Sequence, residues 1–123
     1  MSYLSVHISG VPYGKRKTRG NTGAPDRWTR TVVARTRRLP KVSEACLLKA
    51  TFLLPPDKYP SDLPYGPDLD NLLKRLLDAL GQTVFSKTRG ADSCIVSLMA
   101  MKTRAADGAR SGVHVEILPV SIR

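Results

Sequence analysis

The chain of 123 residues has few cysteines, few acids and no long apolar run. Its two cysteines, Cys46 and Cys94, are too few for a disulfide framework or a structural zinc site. Both sit in apolar runs and read as reduced core thiols. No stretch approaches the ~18 consecutive apolar residues that cross a bilayer. The start, Met1 to Val6, carries no basic segment of the kind that opens a secretory signal. A soluble protein of the cytoplasm is therefore expected. Internal repeats are also missing: Lys-Thr-Arg recurs at 17–19, 87–89 and 102–104, but at unequal spacing.

The shortage of acids has a counterpart. Ten Asp and Glu face 20 Lys and Arg, a formal charge of +10. Such an excess favours polyanions, nucleic acid first, and says little about fold. It is also uneven, because residues 1–49 hold eleven basic side chains against Asp26 and Glu44 alone. That half is the expected phosphate-facing part. An anionic membrane would want an amphipathic helix with large apolar residues opposite the basic face. Trp28, Val32, Val33 and Leu39 make only a weak one, so no membrane partner is expected. The length suits one domain, 1–123, and 41% hydrophobic residues can supply its core.

Residues 3–9 alternate as a half-buried strand, ended by Gly10 and Pro12. A basic, glycine-bearing loop is expected over 13–27, mobile in the free protein, then a helix over about 28–39 that stops at Pro40. Cys46 to Leu54 reads as a second strand. Five prolines between 55 and 67 make a second mobile, extended connection. Leu69, Leu72, Leu73, Leu76, Leu77 and Leu80 then fall on one stripe of 3.6-residue period. This predicts a helix over about 68–81, with Asp68 at its N-cap and Gly81 in the left-handed position that ends it. Cys94 to Met101 and the alternating Val113, Val115 and Ile117 read as the last strands, with Met99 and Met101 in the core. His7 and His114 read as solvated strand residues, and Trp28 as packing beneath the basic loop. The element order predicts an α/β (α+β) domain with a mixed sheet and two main helices.

The candidate chemistry lies on the second helix. In a basic chain, Asp68, Asp70 and Asp78 cluster within eleven residues. At ~100° per residue, Asp70 and Lys74 are neighbours at the rim of the apolar stripe, while Asp78 falls in the middle of the polar face. Asp68, just outside the helix, can lie beside Asp70. Hard carboxylate oxygens suit Mg²⁺, which keeps several waters and takes one or two protein carboxylates alongside substrate phosphates. A lysine one turn along can neutralise charge developing on a phosphate. The same residues also fit a structural role: Asp68 as a cap, Asp70 as a partner of the helix dipole, and Lys74 paired with Asp70 or Asp78.

Asp68, Leu69, Asp70, Asn71, then Lys74, then Asp78, Ala79 and Leu80 resemble the signature of the RusA family of Holliday junction resolvases. Gly10, Pro12, Lys15, Arg16 and Arg19 resemble the family's Gly-x-Pro and basic loop. Asp92 to Val96 resembles the segment that opens a strand and supplies a third acid. Pro67 stands where the family often has a basic residue, and a single acid stands at 92 where it often has two. The resemblance implies that Asp68, Asp70 and Asp92 bind the catalytic Mg²⁺, with Mn²⁺ as a substitute, and that Lys74 assists at the phosphate. It further implies a homodimer, encoded by a bacterium or phage, that resolves branched DNA without a small-molecule cofactor. Lys15, Arg16, Lys17 and Arg19, with Arg35, Arg37 and Arg38, would grip the DNA through its phosphates. Two rivals remain, a non-catalytic DNA-binding protein of the same fold and a general flap or single-strand nuclease.

Overall fold

The computed structural model describes residues 4–15, 17, 19–59, 66–87 and 90–120, at 91 and 92 for the backbone alone. The elements are β1 (Leu4–Ser9), α1 (Ala24–Thr36), β2 (Cys46–Leu54), α2 (Leu69–Gly81), β3 (Ile95–Arg104) and β4 (Gly112–Pro119). Two short 3₁₀ turns, Ala91–Cys94 and Gly108–Arg110, precede the last two strands. The strands form one sheet in the order β1-β4-β2-β3. β4 is antiparallel to both β1 and β2, while β2 and β3 are parallel and joined through α2. This is the mixed-sheet α+β domain that the element order predicts.

Alternation decides which face is covered. Cys46, Leu48, Ala50, Phe52 and Leu54 of β2 are buried, whereas Lys49 between them is exposed. Val113, Val115 and Ile117 of β4 lie at the same levels and face the same side. Trp28 and Val32 of α1 and Leu72, Leu76, Ala79 and Leu80 of α2 close over that face as one core. Among the described residues, the other face has no helical layer. His7 and His114 sit there as cross-strand neighbours, and Lys49 lies 3.7 Å from Glu116. Trp28 packs in the core as expected, 3% exposed, and its indole nitrogen has no hydrogen-bond partner among the described residues.

Four expectations need correction. The first helix begins at Ala24 rather than near 28, because Pro25 already has the φ that a first helical turn needs. It ends at Thr36, whose buried hydroxyl donates to the Val32 carbonyl at 2.7 Å and lies 2.7 Å from the Thr83 hydroxyl. Gly81 is the last helical residue, not a left-handed cap; Gln82 follows in right-handed geometry and its N–H reaches the Ala79 and Leu80 carbonyls. Val84 and Phe85, in the turns that follow, are wholly buried and belong to the core. Finally, Met99 and Met101 are not core residues. Each is 56% exposed, because β3 is an edge strand and their side of the sheet has no covering layer.

Candidate functional site

The start of α2 meets the basic loop. Gly14 lies so close to the helix that a Cβ there would stand 2.8 Å from Asn71 Cβ and 3.1 Å from backbone atoms of Asn71 and Leu72. Only a residue without a side chain allows this approach. Arg75, one turn beyond Asn71, fixes it. Its Nε donates to the Gly14 carbonyl at 2.7 Å, and its Nη1 donates to Thr29 Oγ1 at 2.9 Å and the Pro25 carbonyl at 3.3 Å. One guanidinium thus holds the basic loop, the start of α1 and the face of α2 together. Asp26 adds an ion pair at 3.7 Å from an exposed position. Arg75 is the principal positioning residue that sequence reasoning passed over.

Two hollows flank this junction. The first, of about 410 Å³, is lined by Gly14, Lys15, Asp26, Thr29, Asn71, Lys74, Arg75 and Asp78. The second, of about 350 Å³, brings Lys15, Lys17 and Lys58 around Asp68, with Tyr13 and Tyr59 as its aromatic wall. Lys58 donates to the Tyr13 hydroxyl at 2.6 Å, with its Nζ 4.4 Å from the centre of that ring. It therefore joins the proline-rich connection to the basic loop. Burial first, and the neighbouring Tyr13 next, raise the Tyr59 hydroxyl above its ordinary pKa, against the lowering effect of Lys58.

The predicted site residues divide between these places. Asp68 occupies the N-cap position with extended backbone, φ −66° and ψ 139°, but its side chain makes no capping hydrogen bond. The carboxylate is exposed and open to another task. The segment entering it is fixed from the sheet, where Lys102 Nζ donates to the Pro67 carbonyl at 2.8 Å. Asp70 is exposed, accepts the Asn71 backbone N–H at 2.9 Å, and lines neither hollow. Lys74 is exposed and, among the described residues, pairs with neither Asp70 nor Asp78. The third acid, Asp92, lies in the 3₁₀ turn Ala91–Cys94, which packs against α2, and its side chain falls outside the described atoms.

The basic residues also divide. Lys15 and Lys17 line the same hollow as Asp68, and Arg19 is exposed on the same loop. Arg35, Arg37 and Arg38 are exposed at the opposite end of α1, ~15 Å from its first turn at 1.5 Å per residue. Arg16 and Tyr65 lie outside the described residues.

A divalent cation fits the donor set. Asp68 and Asp70 offer hard oxygens, neither is buried, and Asp68 is not spent on capping, so an ion held here can keep its waters. Among the described residues, no three acids, histidines or cysteines converge. No described helix is long and apolar enough to cross a membrane.

A small, basic α+β domain whose exposed carboxylates sit beside gathered lysines belongs to the class of proteins that act on nucleic-acid phosphates. The particular assignment is more specific. The model of the RusA endodeoxyribonuclease family matches residues 27–117, and the chain belongs to that family. It is thus an enzyme of the endodeoxyribonuclease class. A comparison with curated proteins gives no match.

Proposed function

We propose that the protein resolves four-way DNA junctions by divalent-metal-dependent hydrolysis of a phosphodiester in each of two symmetric strands, during recombination and repair. Family membership supports the branched-DNA substrate. The observation that carries the reading is the docking of the basic loop, through Gly14 and Arg75, onto the acid-bearing start of α2. Groups suited to a cation and groups suited to phosphates then share one place.

In this reading Asp68, Asp70 and Asp92 hold the metal, Mg²⁺ in the cell with Mn²⁺ able to replace it. When bound, the metal supplies an acidified water and offsets charge on the phosphate. Lys74 balances charge on the phosphate under attack, from a helix position that Asp70 shares. Lys15, Arg16, Lys17 and Arg19 grip the strand near the acids, and Arg35, Arg37 and Arg38 hold a neighbouring stretch through phosphates alone. A homodimer suits the task, since a two-fold pair presents two equivalent sites to two equivalent strands.

The test is cleavage of a labelled four-way junction by wild type and Asp70→Asn, each with Mg²⁺ and with EDTA. A gel-shift of both proteins at physiological salt accompanies it, because low salt inflates non-specific affinity. Wild type with Mg²⁺ is expected to give paired, symmetric nicks. Asp70→Asn is expected to bind equally and to lose more activity than the ~10- to 100-fold that removal of an outer-shell partner costs a metal site. Binding without cleavage under any metal would reduce the protein to a DNA-binding domain. Preference for flaps or single strands would make it a general nuclease.

A further inference from the structure

The hollow beside Asp68 has an aromatic wall as well as lysines. Its two rings, Tyr13 and Tyr59, come from separate segments, the basic loop and the proline-rich connection, and both are half-buried. Local structure fixes Tyr59. Its backbone N–H donates to the Pro55 carbonyl at 3.0 Å, and Gly66, at a left-handed φ of +98°, brings the chain so near that a Cβ there would stand 3.5 Å from Tyr59 Cδ1. Lys58 spans the rings, with its Nζ 4.4 Å from the centre of Tyr13 and 5.9 Å from that of Tyr59. Lys17 Nζ stands 5.6 Å from the Tyr13 ring centre. Such contacts are weak where water reaches them, so these cations are easily drawn away. Nothing in the proposed hydrolysis uses the two rings.

We infer that this hollow receives one unstacked nucleobase from the branch point of the DNA, held against Tyr13 and Tyr59, while the lysines take the phosphates beside it. The inference rests on the branched-DNA reading above and adds how a branch is told from a duplex. Three lysines alone would suit a bare phosphate, yet a phosphate gains nothing from aromatic walls. A nucleotide uses both, since its base has a π-face for the rings and its backbone an anion for the ammonium groups. At about 350 Å³ the hollow stands at the lower end of small-molecule sites, enough for one base.

Stacking supplies the selectivity. In an intact duplex each base is paired and stacked on both sides, and all of this must be broken to take one out. Where strands exchange partners the stack is interrupted, and a base leaves at least cost. A site that gains from an unstacked base therefore favours branched DNA over duplex without reading sequence, because every base offers a ring face. The basic surface cannot do this by itself, since duplex and junction carry the same phosphates. Asp68 lines the same hollow, so a base seated there sets its own backbone beside a carboxylate of the proposed metal site. The rings would thereby also fix which bond of the strand is presented.

The experiment compares dissociation constants of wild type, Tyr13→Leu and Tyr59→Leu, in EDTA at physiological salt, for a four-way junction, the same junction made abasic on both sides of its branch point, and linear duplex. Each variant is first verified as folded by circular dichroism. Loss of one stacked base weakens binding by roughly 5- to 150-fold. A loss in that range is expected for each leucine variant on the intact junction, and for wild type when the bases are removed. On the abasic junction and the duplex the variants are expected to match wild type within about twofold, which a displaced loop could not do. Tyr13→Phe and Tyr59→Phe, which keep the ring, are expected to restore binding to the intact junction. Wild type that binds intact and abasic junctions equally overturns the inference, and that arm decides even where a variant fails to fold. Leucine variants that lose nothing, or lose equally on all three DNAs, overturn it too. Cleavage is read separately with Mg²⁺: a base-dependent preference without cleavage keeps the hollow's role and sinks the nuclease reading, and paired nicks by a protein indifferent to the missing bases do the reverse.

Discussion

Replacing Arg75 with Met keeps most of the aliphatic stem and removes only the guanidinium, which makes it a clean probe of how the basic loop is held. The loss comprises a 2.7 Å bond to the Gly14 carbonyl, a 2.9 Å bond to Thr29 and a weaker 3.3 Å bond to the Pro25 carbonyl. Hydrogen bonds from a charged donor contribute ~1.5 to 3 kcal/mol each when well made and buried. The Arg75 side chain is 20% exposed, so the lower end applies to the two short bonds. The 3.7 Å contact with Asp26, itself 76% exposed, adds close to nothing. The sum is about 3 kcal/mol, or roughly a 10 °C fall in Tm for a domain of this size. Urea unfolding followed by tryptophan fluorescence measures it directly, since Trp28 lies in the core on the same helix as Thr29. Arg75→Lys is expected to restore less than half, because an ammonium cannot reproduce a fork that reaches Gly14 and Thr29 together. A loss below about 0.5 kcal/mol for Arg75→Met would refute the view that this side chain fastens the loop.

Gly14→Ala is expected to weaken junction binding and to cost ~1.5 kcal/mol of stability, about half the Arg75→Met loss, because the added methyl pushes the loop off Asn71 and its carbonyl off Arg75 while the core stays intact; gel-shift titration and urea unfolding check it. Phe52→Ala, at a wholly buried site in the middle of β2, is expected to cost ~3 to 5 kcal/mol in urea unfolding. The Cys46 thiol is pushed from its ordinary 9.0 up to about 12, first by burial and then by Cys94 beside it. A raised folded value means that the neutral thiol's contribution is complete below pH 9 and is lost as pH climbs from 9 toward 12, so the alkaline fall in Tm should be shallower in Cys46→Ala.

How much of this was legible in the sequence differs by element. The stripe of six leucines predicts α2 to within one residue at its start, since a strong period leaves no competing structure. The strands are legible because alternation matches burial on β1 and β4, while a largely apolar run closed by Pro55 and Pro56 marks β2. On β3 the apolar run is equally clear, yet its meaning is not. An uninterrupted apolar strand has the same letters in the centre of a parallel sheet and at an exposed edge, and only the strand order separates the two. For that reason Met99 and Met101 read as core in the sequence yet lie exposed in the structure. A glycine near a helix end also fits a left-handed cap, so Gly81 reads as one, whereas here the chain turns on through right-handed Gln82 and buries Val84 and Phe85 in the core.

The site shows the same boundary between what runs along the chain and what crosses it. Helical geometry relates Asp70 to Lys74 and sets Asp78 apart, and this arithmetic needs only the sequence. It does not reveal what stands opposite each face. The side of α2 that carries Asn71, Arg75 and Asp78 looks out on α1 and the basic loop, so Arg75, adjacent to the lysine that sequence reasoning selected, becomes the tie between three segments. Asp68 escapes the helical arithmetic altogether because its backbone is extended, and it lines the same hollow as Lys15, Lys17 and Lys58, whereas Lys74 lines the other. Asp68 thus lines one of the two hollows, and Asp70 lines neither. A cation shared between them must sit over the first turn of α2, at the end of the helix whose unpaired N–H groups already carry partial positive charge. Such a position is electrostatically unfavourable for a cation unless further anionic oxygens arrive. In the proposed reading Asp92 would be one source, and the DNA phosphate the other.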